Sequence, residues 1–242
     1  MNEFLFYLVI LLSNIIQGIT GFAGTILAMP ASLRLVGMGT AVPVLNLLGL
    51  LSGIYVFIGN RKYINKKVLK KVVLVMGVTV IAGLFIKKLL LSNTRLLYWI
   101  LGLIVVIIAL SGLVKIFRKA PEKSLSEPVL NLLLLAAGIV HGMYVCGGPL
   151  LIAYMTKKVP EKSSFRATIS TTWIFLNGII FLSHIYSGSF TPDVVRSSFI
   201  SVPFLLGGMF AGSVLYKKMS QSFFVKLTYV LLLISGISLF FK

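Results

Sequence analysis

Residues 61–71 read Arg-Lys-Tyr-Ile-Asn-Lys-Lys-Val-Leu-Lys-Lys and carry six of the 23 lysines and arginines in this 242-residue chain. The corresponding segment of the second half, residues 187–196, carries one. Lysine and arginine collect in the cytoplasmic loops of membrane proteins. A positive charge that changes so much between corresponding loops predicts that the two halves lie in a bilayer in opposite orientations.

The chain around this segment is strongly apolar, with 58% hydrophobic and 12% charged residues. Apolar runs of roughly the length of a transmembrane helix recur along it. They cover residues 40–58, 72–86, 96–114, 164–184, 197–216 and 223–241. Longer apolar blocks cover residues 4–36 and 129–156, and the predicted hairpins are 4–36 and 129–158. Continuous runs are unlike the alternating segments of a β-barrel. The predicted fold class is an all-α polytopic membrane protein.

The two halves also form a weak repeat when residue i is aligned with residue i+124. Gln17-Gly18 then falls on His141-Gly142, Gly24 falls on Gly148, and Ala82-Gly83 resembles Ala211-Gly212 after a drift of a few residues. We therefore predict a first repeat at residues 1–114, a basic linker at 115–128 and a second repeat at 129–242. Each repeat would be a glycine-broken re-entrant helical hairpin followed by three transmembrane helices.

The distribution of positive charge favours inverted repeats. If every apolar block crossed the membrane once, the lysines and arginines would divide 11 to 12 between the two sides. If both long blocks enter and leave on one side, 17 of the 23 share a side, in the clusters 61–71, 115–123, 157–166 and 217–226. This arrangement follows the positive-inside rule. It predicts a multi-pass plasma-membrane protein with both termini outside the cytoplasm.

The lengths of the hairpin arms support the same topology. Arms at residues 4–17 and 25–36 would be about 21 and 18 Å long as helices. Neither length spans a hydrocarbon core of about 30 Å. The tips are therefore predicted near the middle of the membrane, where irregular backbone survives only inside protein or beside a watery cavity.

The composition of the chain argues against several classes of function. The net charge of +18 lies in short clusters between apolar runs, which fits topology signals better than nucleic-acid binding. The single cysteine excludes an intramolecular disulfide. The five acidic residues all fall at segment ends or in loops, so we expect no metal site, no cofactor and no cation transport. We expect the first apolar run to be a membrane segment rather than a removable signal peptide.

The two predicted tips are the candidate binding site. Gly21, Gly24, Gly147 and Gly148 would permit tight reversals, and each returning helix would point its N-terminus at the tip. A helix N-terminus attracts anions, and transporters with inverted repeats bind substrates at such broken helices. The alternative interpretation is close helix packing through small residues.

Polar side chains within the apolar segments extend the candidate site, because burying them in a membrane is costly. They are Gln17, Asn46, His141, Cys146, Arg166, Thr168 and Asn177. His141 would donate to an anion or serve as a core histidine, and Cys146 would contact a sulfur-containing substrate or simply be small. Arg166 would pair with the anion or extend to the interface, while the threonines would bind substrate or helix carbonyls.

The motifs resemble those of the TauE/SafE sulfite exporter family. They are Gln17-Gly-x-x-Gly-x-x-Gly24 followed by Pro30, Gly142-x-x-x-x-Gly-Gly-Pro149, Phe165-Arg-Ala-Thr168 with Asn177-Gly178, and Tyr186-Ser-Gly188-x-Phe-Thr-Pro192. The similarity spans the whole chain. Phe22 and Ala23 depart from it, since glycine is common at those positions in the family. The resemblance implies transport of small sulfur-containing or organic anions, such as sulfite or sulfonates. It also implies that the tip glycines form the site backbone, with Arg166 as charge partner.

The predicted function is secondary transport of a small anion, most simply export, by alternating access with the site at the two tips. A passive anion channel is the alternative within transport. An integral membrane enzyme or assembly factor that uses Cys146 and His141 is the alternative from another class, although no third residue is visible to orient that pair. The expected partners are the anion and the lipid bilayer, and the chain is a monomer or a homo-oligomer.

Overall fold

A computed structural model describes residues 2–89, 94–118, 126–144, 147–238 and 240. The described residues form α-helices and one short 3-10 helix, with no strand among them. The α-helices are α1 (Asn2–Thr20), α2 (Gly24–Asn60), α3 (Lys66–Leu89), α4 (Thr94–Arg118), α5 (Glu127–Tyr144), α6 (Gly148–Lys158), α7 (Lys162–Tyr186), α8 (Pro192–Lys218) and α9 (Gln221–Ser238), and the 3-10 helix is Arg61–Tyr63.

Six segments of the described chain are long and apolar enough to cross a membrane. They are Glu3–Thr20, Gly24–Tyr63, Lys66–Ile86, Lys162–Tyr186, Pro192–Lys218 and Gln221–Ser238, with shorter apolar segments at Gly102–Val114 and Glu127–Met143. An α-helix satisfies most of its backbone polar groups internally, which suits such segments to a bilayer. The chain is an all-α polytopic membrane protein, which confirms the predicted class.

The long helix α2 is broken at Gly37. Its φ of 73° and ψ of 169° lie outside the helical region, and only glycine adopts such a conformation without strain. The break separates a short arm of 13 residues, 24–36, from a longer segment, 38–60. The arm is about 20 Å long, less than a hydrocarbon core of about 30 Å.

The two helical hairpins have unequal arms. α1 and α5 contain 19 and 18 residues, about 28 and 27 Å, so α1 is longer than the predicted arm at 4–17. The returning arms are shorter, since α6 has only 11 residues. The depth of the tips in the membrane stays a prediction.

The helices form two compact units that cut across the halves of the sequence. Unit 1 comprises Met1–Leu69 and Arg166–Met219, and unit 2 comprises Lys70–Phe165 and Ser220–Lys242. Each unit thus combines a hairpin from one half with helices from the other half. These units differ from the two repeats predicted along the sequence, and the repeats stay a prediction.

In unit 1, α1 packs on α8 through glycines. A Cβ added to Gly18 would lie 2.8 Å from the carbonyl oxygen of Met209, and one added to Gly212 would lie 2.2 Å from that of Ile15. Side chains at these positions would separate the two backbones. Small residues that bring helices this close are typical of membrane proteins.

The same packing recurs in unit 2 between α5 and α3. A Cβ added to Gly142 would lie 2.1 Å from the carbonyl oxygen of Val80, and one added to Gly83 would lie 2.2 Å from that of Ile139. Gly142 and Ile139 follow their unit 1 counterparts Gly18 and Ile15 by 124 residues. The equivalent contacts support the predicted repeat, with each first arm packed on a helix from the opposite half.

Candidate functional site

The turn between α1 and α2 depends on Gly21. Its φ is 83°, and its N–H donates to the Gln17 carbonyl at 2.7 Å. A Cβ there would lie 2.6 Å from the Ser170 hydroxyl and 3.0 Å from the Arg166 carbonyl. Glycine is required both for the backbone conformation and for the close approach of α7.

Gln17 fixes this tip with both ends of its amide. Its Oε1 accepts the Gly24 N–H at 2.8 Å, and its Nε2 donates to the Ser52 hydroxyl at 3.1 Å. Ser52 in turn donates to the Gly49 carbonyl at 2.9 Å. Gln17 therefore satisfies one of the N–H groups that lack an intrahelical partner at the start of α2.

Two buried asparagines form a pair close to Gly49. Asn46 Nδ2 donates to Asn177 Oδ1 at 3.4 Å, although the two residues are 131 positions apart. A Cβ on Gly49 would lie 2.7 Å from Asn177 Nδ2 and 3.5 Å from the Thr25 hydroxyl. The side chains of Asn177 and Thr25 therefore both lie against this glycine. Thr25 belongs to the first turn of α2. We call the side chains of Gln17, Thr25, Asn46, Ser52 and Asn177 the tip cluster.

Arg166 is buried beside the same turn, with 3% of its surface exposed. Its Nε donates to the Gly18 carbonyl at 2.8 Å and its Nη2 donates to the Ser213 hydroxyl at 2.8 Å. The guanidinium also lies 4.5 Å from the centre of the Tyr216 ring. Gly18 is in the last turn of α1, where carbonyls lack helical partners and carry a partial negative charge.

The interior of unit 1 therefore contains a positive charge without a carboxylate. Arg166 is the only buried lysine or arginine among the described residues of this unit. The only acidic residues in its sequence, Glu3 and Asp193, are both exposed. The carbonyl, hydroxyl and ring around Arg166 stabilise the charge without neutralising it.

The hydroxyls of α7 have mainly structural contacts. Thr168 accepts the backbone N–H of Asn65 at 2.9 Å, which fastens the start of α3. Thr172 donates to the Thr168 carbonyl at 2.9 Å, as the helix-carbonyl alternative proposed. Ser170 donates to the Gly21 carbonyl at 3.4 Å. Substrate contact by Thr168 stays a prediction.

The second tip belongs to unit 2. His141 is buried with 3% of its surface exposed, and α6 begins at Gly148 with Pro149 in its first turn. A Cβ on Gly147 would lie 1.9 Å from the Ala137 carbonyl oxygen and 2.7 Å from the His141 Cβ. Cys146 lies outside the described residues. Within those residues, histidine, cysteine and carboxylate side chains form no group that could hold a metal ion.

The structure thus brings seven of the predicted site residues into unit 1. They are Gln17, Gly21, Gly24, Asn46, Arg166, Thr168 and Asn177. Sequence reasoning missed four of their neighbours: Thr25, Ser52, Ser213 and Tyr216. A signal existed for Ser52, because Asn46, Gly49 and Gly53 recur at helical spacing and mark the face of α2 that contacts α7. Nothing in the sequence distinguishes Ser213 or Tyr216 from other small or aromatic residues of an apolar helix.

Comparison with models of protein families assigns the chain to a family. The family model of the sulfite exporter TauE/SafE matches residues 6–239, nearly the whole chain. The chain belongs to the TauE/SafE family. It is therefore a membrane transporter of the sulfite or anion exporter type and not an enzyme. No curated protein and no solved structure matches the chain.

Membership of this family settles one of the alternatives left open by the sequence. An enzyme or assembly factor that uses His141 and Cys146 is excluded, since TauE/SafE proteins are transporters. A TauE/SafE transporter contacts the lipid bilayer and a small anion. The buried positive charge of Arg166 is consistent with such a substrate.

Proposed function

We propose that this protein is a secondary transporter that exports small anions, sulfite or another sulfur-containing or organic anion, by alternating access. The first hairpin tip would bind the anion through the tip cluster in unit 1. Arg166 would supply the positive potential that attracts it. The second tip, with His141, Gly147 and Gly148, would be the counterpart in unit 2.

The observation that carries this proposal is the burial of Arg166 without a carboxylate. An unneutralised charge inside a membrane protein is costly and marks functional sites by default. The Gly18 carbonyl and the Ser213 hydroxyl offset part of that cost, because hydrogen bonds to a charged donor are strong. An anion that entered unit 1 would neutralise the remaining charge, whereas a cation would be repelled.

The contacts of Arg166 also suggest how it acts. Two of its nitrogen atoms hold the end of α1 and the side of α8, so its position is fixed before substrate arrives. Preorganised charge stabilises a ligand without the cost of reorienting the protein. Gln17 is held in the same way by Gly24 and Ser52.

Uptake of radiolabelled sulfite into proteoliposomes tests the role of Arg166. We expect Arg166→Gln to reduce the initial rate by about tenfold or more, because a charge-assisted interaction contributes on the order of 1.5–3 kcal/mol. Arg166→Lys keeps the charge but not the planar fork, so an intermediate rate is expected. The matched control is Arg196→Gln in the same unit, since Arg196 is exposed.

Two results would contradict the proposal. One is a folded Arg166→Gln variant that transports sulfite at the wild-type rate. The other is an equal loss in Arg196→Gln, which would indicate that general surface charge rather than the buried arginine determines uptake. Gel filtration of each variant in detergent shows whether it is folded.

We further propose that the termini lie outside the cytoplasm of a cell whose plasma membrane contains the protein. This rests on the 17 of 23 cations that fall on one side in the hairpin topology. Lys67 and Ser187 are exposed and suit single-cysteine labelling in a Cys146→Ala background. A membrane-impermeant maleimide applied to intact cells should label Ser187→Cys and not Lys67→Cys. Labelling of both or of neither would contradict opposed halves.

A further inference from the structure

The Asn46 side chain has an acceptor with no partner. Asn46 is only 2% exposed, and its Oδ1 has no hydrogen bond within the described structure. Its Nδ2 is already used by Asn177. Buried polar atoms are almost always hydrogen-bonded, so an unsatisfied carbonyl in a polar cluster points to a missing donor.

The orientation of the two side-chain amides supports the conclusion that Asn46 Oδ1 is the unsatisfied atom. Asn177 places its Nδ2 against Gly49, on the side where the Thr25 hydroxyl lies. Its Oδ1 therefore remains for Asn46 Nδ2, and Asn46 Oδ1 is left unsatisfied. An amide carbonyl has no hydrogen to donate and cannot satisfy itself by rotation.

Ser32 differs from Asn46 in this respect. Its hydroxyl is also buried and without a partner, at 0% exposure. A serine in a helix can rotate its hydroxyl to donate to the carbonyl four residues back. Ser32 thus needs no ligand and is a matched control for Asn46.

The charge of unit 1 restricts the ligand independently. Arg166 is the only buried cation among the described residues of this unit. A monoanion would neutralise it, whereas a dianion would leave a net negative charge in an apolar interior, which is costly. The favoured ligand is therefore singly charged.

We propose that the transported species is a monoanion that carries a hydrogen-bond donor, and that Asn46 Oδ1 accepts its hydrogen bond. For sulfur oxyanions this means hydrogen sulfite rather than sulfite. The inference rests on the proposed anion transport at the tip cluster and specifies the form of the substrate. Asn46 is thus a specificity-determining residue.

The test compares two anions in proteoliposomes that contain the full chain. Methanesulfinate is a monoanion that has a methyl group on sulfur where hydrogen sulfite has a hydroxyl. Raising the pH converts hydrogen sulfite into sulfite and leaves methanesulfinate unchanged, so methanesulfinate reports any effect of pH on the protein itself. We expect wild-type uptake of total sulfite, divided by that of methanesulfinate, to fall in proportion to the hydrogen sulfite fraction. At low pH this ratio should be about ten or more, because a site built to bond a hydroxyl rejects analogues that lack it.

Three variants separate the role of Asn46 from a general effect on folding. Asn46→Ala should bring the ratio at low pH close to one. Asn177→Ala leaves the Asn46 carbonyl in place, so the preference for hydrogen sulfite should persist even where both rates fall. Ser32→Ala should keep the wild-type ratio.

Other outcomes would overturn the inference. Total sulfite uptake that rises with pH relative to methanesulfinate would show that the dianion is carried and that the amides are turned the other way, with Asn46 Nδ2 facing the ligand. An Asn46→Ala variant that keeps the ratio would remove Asn46 from recognition. If wild-type protein takes up neither anion, the proposed function itself fails and this inference falls with it.

Discussion

At the tip of the first hairpin the Ala23 carbonyl accepts the N–H of Leu27, and at the second tip the Gly147 carbonyl accepts the N–H of Leu151, in each case 124 residues later. The residues that begin these turns correspond as well, since Gln17 aligns with His141. The Cβ of Gln17 lies against Gly24, and the Cβ of His141 lies against Gly147. The two tips thus share a backbone plan.

The surroundings of the two turns differ. The first is held by side chains, with Gln17 bonded to Gly24 and Ser52 and with Arg166 bonded to Gly18. The second is packed backbone to backbone, because a Cβ on Gly147 would overlap the Ala137 carbonyl. The fold therefore requires both turns, while the polar groups able to recognise an anion are concentrated, among the described residues, at the first tip.

Substituting the turn glycines should produce the largest effects on stability. Gly147→Ala places a methyl group 1.9 Å from a backbone oxygen, and we expect a loss of about 3 kcal/mol or more. Gly21→Ala imposes an unfavourable positive φ. Its methyl group meets the Ser170 hydroxyl, which can rotate away, and lies 3.0 Å from the Arg166 carbonyl, a milder contact than that at Gly147, so about 2 kcal/mol is expected. Thermal unfolding in detergent, followed by gel filtration, measures both.

Gly77→Ala is the control for these substitutions. Gly77 lies in α3 and a Cβ there meets no atom within 4 Å, so alanine should stabilise the helix slightly. If Gly147→Ala were as stable as Gly77→Ala, the backbone packing described for the second tip would be contradicted.

Much of the fold follows from the sequence, because span length and glycine breaks are local properties. The apolar runs, the turn at Gly21 and the separation near Gly37 were all visible as composition changes. The grouping into units was not, since it places residues 1–69 with 166–219. Which helix a hairpin packs on depends on complementary surfaces such as Gly18 with Gly212, and a weak repeat does not reveal that partner.

Removing Gln17 should produce a smaller effect that is specific to the first tip. Gln17→Ala deletes two buried hydrogen bonds, each of which contributes about 1 kcal/mol, so a loss of about 2 kcal/mol is expected. Ser52→Ala deletes the bond from Nε2 and the bond that Ser52 donates to the Gly49 carbonyl. That carbonyl lies inside α2, where the helix also supplies a partner, so a smaller loss of about 1 kcal/mol is expected. The same unfolding assay measures both.

The ratio of these losses is informative. A loss in Ser52→Ala as large as that in Gln17→Ala would contradict a separate contribution from the bond between the Gly24 N–H and Gln17. We also expect Gln17→Ala to slow sulfite uptake, because the N-terminus of α2 would no longer be fixed.

The site was only partly predictable from the sequence. Polar residues in apolar spans identified Gln17, Asn46, Arg166 and Asn177, because their burial needs a reason. Their bonds were not predictable, since Asn46 meets Asn177 across 131 residues and Arg166 meets Gly18 across 148. Such pairs depend on tertiary packing, which leaves no trace in local spacing.

The smallest effect is expected at a helix start away from the tips. Glu161 precedes α7, and its carboxylate accepts the N–H groups of Ser163 and Ser164 at 2.8 and 2.6 Å. In contrast, Ala23 and Gly147, which precede α2 and α6, provide no side-chain cap. Glu161→Ala should therefore cost about 1 kcal/mol at neutral pH, which is typical for loss of a cap.

This contribution should depend on pH in a defined direction. Partial burial raises the pKa of Glu161, but the hydrogen bonds from Ser163 and Ser164 outweigh it and bring the pKa below its ordinary value. A carboxyl with a lowered pKa stabilises the fold above its unfolded pKa, and the contribution is lost as the pH falls through the folded value. The difference between wild type and Glu161→Ala should thus shrink in acid. A difference that grew in acid would contradict the capping role.

Counterflow of sulfite distinguishes an alternating transporter from a channel. Proteoliposomes are loaded with unlabelled sulfite and diluted into a trace of radiolabelled sulfite, with protein-free liposomes as the control. A transporter that alternates between two states exchanges label for unlabelled anion, so we predict a transient accumulation of label above its equilibrium level. Entry of label that rises only to equilibrium would indicate a channel, and no entry beyond that of protein-free liposomes would contradict sulfite transport.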